Sequence, residues 1–228
     1  MGNAKPGSGI KRHRLTVPVT TEALRAINIG DVVYLTGSVF TGREGVYKRV
    51  VDEGMPLPDG LVSKGGANFH CSPAATPNGQ GGYTVGALSG TASFRFAKWL
   101  ERWFAISGVK LIIGKGGMSS EDYKRFFVPN GAIYLSTVGY GTGALLGRGV
   151  KRVRQVHWMD DLGLAQALWD FEVEELGPFI AESDLDGNSL FERENALIAR
   201  NLDRIYEGTK PPALRRYGET DDRSEEVI

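Results

Sequence analysis

The sequence predicts a mixed α/β fold, an α/β class with α+β character, across most of its 228 residues. Three observations carry that prediction. Short apolar runs in "DVVYLTGSVF", "VKLIIGKGG" and "AIYLSTVG" lead into glycine-rich loops, the pattern of buried strands with turns at their ends. Segments with helical spacing of apolar residues lie between them. No apolar run nears the roughly 18 residues of a membrane span, and no internal repeat or linker divides the chain.

The elements follow in order. Residues 1–13 read as a flexible basic lead. "TTEALRAINIG" predicts a short helix ending near Gly30, and "DVVYLTGSVF" a strand. "GREGVYKRVVDEG" is helical, with Val46, Val50 and Val51 on one face and Gly54 as the stop. "MPLPDG" is a loop, and residues 69–88 are two short strands around a glycine-rich turn. A helix from Ser93 to Ile106 buries Trp99, Leu100 and Trp103. "VKLIIGKGG" is a strand running into glycines, and "SSEDYKRFFVPNG" a helix capped by serine. "AIYLSTVGYGTGALLGRG" reads as a strand followed by a glycine-dense loop. "VRQVHWMD" is a strand, "GLAQALWDFEVEELG" a short helix leading into a strand, "PFIAESD" a further strand and "DGNS" a turn. From Ser189 to Tyr206, apolar positions 190, 197, 198, 202 and 205 predict an amphipathic helix interrupted by Glu194. One domain thus spans residues 14–208, with a polar tail over 209–228.

Charge and cysteine content exclude several functions. Lys plus Arg and Asp plus Glu are 27 each, so no net charge draws the chain to nucleic acid or to a membrane surface. The single cysteine, Cys71, rules out an internal disulfide and any thiolate-built zinc or iron–sulfur site within this chain. The first residues lack the apolar stretch of a secretory signal, and Pro6 disagrees with a myristoylation motif, so the expected location is cytoplasmic.

Several motifs fail on spacing. "GVKLIIGKGG" has five residues between Gly108 and Gly114, where a P-loop has four, and no Ser or Thr after Lys115, so it is no phosphate-binding P-loop. "GYGTGA" matches a dinucleotide fingerprint, with Asp160 and Asp161 beyond it. Its helix would have to run through Gly147 and Gly149, at about 1 kcal/mol each relative to alanine. "DLDGNS" has its glycine at the fourth position of a calcium loop instead of the sixth. His13, His70 and His157 show no metal-ligand spacing, and His157 reads as a structural histidine. His70 and Cys71, adjacent on a strand, point to opposite faces and cannot act as a nucleophile pair.

What remains is a set of cations and one hydroxyl at strand exits and a helix start: Arg43, Thr91, Arg95 and Lys115. Arginine opposes the macrodipole at a helix N-terminus and needs a reason to be there. Guanidinium groups hold carboxylates in bidentate fashion and an ammonium adds a point charge, so the set suits a small dianion. Taken singly, each cation reads more readily as a solvated surface charge.

"GDVVYLTGSVFTGREG", "HCSPAATPNG", "GALSGTASFRF", "LIIGKGG" and "HWMDDLGLAQALWDFEVEELGPFIAESDLDGNSLFE" occur in the order found in one family. From Leu15 to Gly208 the chain resembles the β subunit, or C-terminal domain, of class I fumarate hydratases and L(+)-tartrate dehydratases. The resemblance implies a swivelling β/β/α fold and an iron–sulfur hydro-lyase acting on a C4–C5 dicarboxylate. Fumarate/malate comes first, with L(+)-tartrate or mesaconate as alternatives. It implies a [4Fe–4S] cluster held by three cysteines of a partner α subunit, in an α2β2 assembly, with an open iron as Lewis acid. In this family's terms Arg43, Arg95 and Lys115 neutralise one substrate carboxylate, and Thr91 handles the proton on the neighbouring carbon. The chain departs from the family at Glu44, Tyr47, Ala92, Phe94, Phe96 and Ala97, which surround the cation set. Two rival readings are a non-catalytic dicarboxylate-binding subunit and a nicotinamide enzyme built on "GYGTGA".

Overall fold

The computed structural model describes residues 9–139, 141–205 and 207–208. The first eight residues of the expected lead and the tail over 209–228 lie outside them. In chain order come β1 (Arg12–Val17), α1 (Thr21–Leu24), β2 (Val32–Thr41), α2 (Glu44–Tyr47) with a π turn over Lys48–Asp52, and β3 (Ala67–Phe69). β4 (Cys71–Pro77) and β5 (Tyr83–Gly90) form a hairpin; a 3-10 turn, Phe94–Phe96, opens α3 (Ala97–Ser107), followed by β6 (Leu111–Gly114). Then follow α4 (Ser120–Asp122) with its π turn Tyr123–Phe127, β7 (Ile133–Thr137), α5 (Thr142–Gly149), β8 (Val150–His157), α6 (Met159–Leu162), β9 (Leu168–Ala181) and α7 (Leu190–Ile205).

β2, β3, β6 and β7 run parallel side by side, in register through Val39–Ala67, Ala67–Leu111 and Leu111–Ile133. β9 runs antiparallel to both ends of this row, pairing Phe171 with Val39 and Ala181 with Leu135, and so closes the sheet into a barrel. β1 extends the edge of β2 and β8 that of β9. β9 needs its 14 residues to reach both partners. The sequence reading broke it at Gly177–Pro178, but the strand runs through that dipeptide and takes up the irregularity as register shifts against β2.

Strand alternation divides the core in two. Leu35, Val39, Phe69, Ile113, Leu135 and Phe171 point into the barrel. Phe40, Ile112 and Tyr134 point outward and are covered by Tyr47, Val50, Trp103, Phe104 and Phe127 from the helical layer. Both faces of the parallel strands are therefore buried, which is why they read as continuous apolar runs. Trp99, Leu100 and Trp103 are buried, as the helical pattern predicted. Ser119 caps α4, its hydroxyl accepting from Asp122 N–H at 3.1 Å.

α5 corrects the sequence reading, which rejected a helix through Gly147 and Gly149. The propensity cost is outweighed by close packing. A Cβ on Gly147 would lie 2.5 Å from Gly86 O, and one on Gly149 would lie 2.9 Å from Leu176 Cα. These glycines let the helix lie directly on β5 and β9.

The chain divides into two compact units, Met1–Phe191 and Glu192–Ile228. The first holds the barrel and its helices; the described part of the second is the remainder of the amphipathic α7 and residues 207–208. No helix among the described residues is long and apolar enough to cross a membrane.

Candidate active site at the carboxyl ends of the parallel strands

The parallel strands β2, β3 and β6 all end on the same side of the barrel, where loops collect in α/β sheets and ligands bind. Arg43 follows β2 as the extended N-cap of α2. Its Nη1 donates to Ala165 O at 3.0 Å, while Gln166 Oε1 accepts from Gly45 N–H at 3.1 Å, so the segment before β9 braces this turn. Thr91 leaves β5 with its N–H donating to His70 O at 2.6 Å. Its carbonyl accepts from Lys115 N–H at 3.1 Å, and Ser93 N–H donates to Lys115 O at 3.3 Å. The threonine turn and the lysine loop are thereby laced together as a short parallel bridge at Ala92 and Lys115. Gly114 makes this possible, because a Cβ there would run into Ser93 Oγ and lie 3.1 Å from Thr91 O.

Arg43, Thr91, Arg95 and Lys115, the four residues singled out from the sequence, line one open cavity of about 340 Å3 with Ser72, Ser89, Gly90 and Ala92. The lining holds three cations and three hydroxyls, and no carboxylate. None of the three cations forms an ion pair among the described residues. Glu44, the acidic neighbour of Arg43, is instead bound to Lys48 at 2.9 Å. Arg43 Nε is buried and has no hydrogen-bond partner among the described residues. Burial first, and the nearby Arg95 guanidinium second, lowers the pKa of Arg43. Thr91 is only 8% exposed, and no group among the described residues hydrogen-bonds its hydroxyl. Such an arrangement can receive an anion with two or more acceptor oxygens.

A second lobe of about 600 Å3 shares Ser89, Gly90 and Lys115 with the first. It extends past Leu88 and Thr137 to the start of α5 at Gly141, Thr142 and Gly143. The sequence reading missed Ser72 and Ser89 in the cavity wall. It also missed the polar residues packed beneath that wall: Tyr47, Asn68, His70, Ser93 and Tyr134 are hydrogen-bonded to one another and almost entirely out of solvent. Alternation could have found Asn68 and His70, which share a strand face in an otherwise apolar segment.

Cys71 lies in the barrel core, 1% exposed, and burial holds its thiol far above the ordinary thiol range. His70 faces the other way, toward the helical layer, as alternation predicted. No group of three or more His, Cys, Asp and Glu among the described residues is spaced to hold a metal. With one cysteine in the sequence, and that one buried in the barrel core, the chain lacks the set of thiolates that an iron–sulfur cluster takes.

A family model described as fumarase C-terminus matches residues 3–194. The chain is 34% identical over 195 residues to the L(+)-tartrate dehydratase subunit beta of Escherichia coli strain K12, covering 85% of this chain and 93% of that one. It is 30% identical to a Methanocaldococcus jannaschii protein provisionally given the same name, covering 82% and 95%. A Geobacillus stearothermophilus protein provisionally named fumarate hydratase class I is 28% identical over 78% of this chain, which spans 33% of that longer protein.

Proposed function

The chain belongs to the fumarase C-terminus family, and from that membership we propose that it is the β subunit of a hydro-lyase acting on a C4–C5 dicarboxylate. The observation that carries the reading is the acid-free cavity that Arg43, Arg95 and Lys115 line together with Thr91, whose hydroxyl no described residue hydrogen-bonds. Three cations hold and neutralise one carboxylate of the substrate. Thr91 Oγ1 takes or returns the proton on the carbon beside that carboxylate. A threonine hydroxyl is a weak base, and the surrounding positive charge favours its deprotonated form. Loss or gain of the hydroxyl group falls to groups this chain does not supply.

The partner is an α subunit, which the proposal makes the holder of the three cysteines and the [4Fe–4S] cluster, in an α2β2 assembly. The name subunit beta carried by the relatives supports the existence of a partner subunit. Those relatives are matched over nearly their whole length, so L(+)-tartrate joins fumarate and malate at the head of the substrate panel, with mesaconate behind. The test is Arg95→Ala in the assembled complex. It should cost roughly 2–5 kcal/mol of transition-state binding, about 30- to 5,000-fold in kcat/KM. A near-wild-type value would overturn the site assignment.

A further inference from the structure

Beneath the cavity a single buried chain of hydrogen bonds runs from the Arg43 turn to the Lys115 loop. Asn68 Oδ1 accepts from Gly42 N–H at 3.0 Å and from Phe69 N–H at 3.3 Å, which leaves Nδ2 to donate to Tyr47 Oη at 3.1 Å. The reverse amide orientation would turn Nδ2 against the Gly42 N–H. Tyr47 Oη, already accepting, gives its own proton to His70 Nε2 at 2.8 Å. A neutral imidazole that accepts at Nε2 carries its proton on Nδ1, and that nitrogen donates to Ser93 Oγ at 2.7 Å. Ser93 Oγ meets Tyr134 Oη at 2.7 Å, and the Ser93 N–H donates to Lys115 O at 3.3 Å.

Tyr47, Asn68, His70, Ser93 and Tyr134 are each fully buried. Around the His70 ring stand Tyr47, the Phe96 ring at 4.6 Å and the Arg95 charge; burial first and Arg95 second push its pKa down to about 3, which keeps it neutral. The chain meets the cavity wall at three places: Gly42 precedes Arg43, Ser93 lies between Thr91 and Arg95, and the Ser93 N–H donates to Lys115 O. Solvated turns would let the three cations separate under their mutual repulsion, whereas a buried network whose members are all paired permits one arrangement.

We propose that His70, in its Nδ1–H tautomer, is a positioning residue that joins the Arg43 turn to the Thr91–Arg95 turn through Tyr47 and Ser93. It touches no substrate. The proposal rests on the dicarboxylate reading of the cavity.

The test compares His70→Gln, His70→Asn and wild type in the assembled complex, using kcat, thermal midpoint and the affinity for succinate, a dicarboxylate that cannot react. Glutamine reaches Tyr47 but not Ser93; asparagine places a donor near Ser93. His70→Gln should lower kcat and weaken succinate about tenfold or more, with His70→Asn returning to within about threefold of wild type. If His70→Gln does not fold, Ser93→Ala makes the same break and should lose as much. A folded His70→Gln or Ser93→Ala variant with wild-type kcat and succinate affinity overturns the positioning role, as does His70→Asn faring no better than His70→Gln. Imidazole 15N shifts of the full chain should show Nδ1–H with no titration between pH 5 and 8; an Nε2–H tautomer refutes the chain as drawn. A wild-type complex that binds no succinate overturns the reading of the cavity and the proposal with it.

Discussion

Replacing Glu182 by glutamine should change how the stability of this protein depends on pH. Glu182 follows β9 and is completely buried. Its Oε1 accepts from Ser189 Oγ at 2.7 Å and from Phe191 N–H at 3.4 Å, and its Oε2 accepts from Tyr123 Oη. Burial raises its pKa to about 7, against the lowering effect of the Ser189 and Phe191 hydrogen bonds. In the unfolded chain the same carboxyl titrates near its ordinary value of 4.5. Between the two values the folded state keeps a proton that the unfolded state has lost, so stability falls as pH rises through that window. Below 4.5 both states are protonated and above 7 both are ionised, so the effect is confined to the interval between. A gap of about 2.5 pKa units corresponds to about 3 kcal/mol. Glutamine, nearly isosteric with the protonated acid, does not titrate. Near pH 4.5 the two proteins should be close in stability, and by pH 7.5 Glu182→Gln should be the more stable. For a chain of this length the difference amounts to roughly 6–12 °C in thermal midpoint. The assay is thermal unfolding of both proteins from pH 4.5 to 8 in matched buffers, with other titrating groups cancelling in the difference. Parallel curves would refute the raised pKa.

Two further perturbations test the fold and the cavity separately. Gly147→Ala puts a Cβ 2.5 Å from Gly86 O and 2.9 Å from Ala87 N, backbone atoms that cannot swing away. It should cost about 1–3 kcal/mol or more in urea unfolding, and unchanged stability would show that α5 does not lie against β5 as described. Arg43→Lys keeps the charge but cannot both bond Ala165 O and present a planar pair of donors. KM for the dicarboxylate should rise about tenfold with a smaller change in kcat, and an unchanged KM would remove Arg43 from the carboxylate site.

The mixed α/β character was legible because the parallel strands are buried on both faces and therefore read as Val, Ile and Leu runs. Their closure by β9 was not. Nothing local marks a strand that pairs with β2, β7 and β8 along different stretches, and Gly177–Pro178 reads as a break. The helix at α5 was hidden for a similar reason: the packing that repays Gly147 and Gly149 comes from Gly86 and Leu176, far away in sequence. At the site, Arg43, Thr91, Arg95 and Lys115 stood out as charges and a hydroxyl at strand exits and a helix start, and the barrel brings all four to one cavity. His70 did not stand out, because its role depends on Tyr47 and Ser93, each 23 residues distant in sequence. The departures at Phe94 and Phe96 now separate. Phe96 is buried against Tyr47 and His70 beneath the cavity, whereas Phe94 is 62% exposed on the surface of the turn.

The most direct test of the central claim is turnover by the assembled, anaerobically purified complex with fumarate, malate, L(+)-tartrate and mesaconate, measured for wild type and Thr91→Ala. Wild type should hydrate or dehydrate at least one of these dicarboxylates. Thr91→Ala should abolish turnover while still binding succinate, since Arg43, Arg95 and Lys115 remain in place. Thr91→Ala turning over at the wild-type rate, or a cluster-loaded wild-type complex inert toward all four, would contradict that claim.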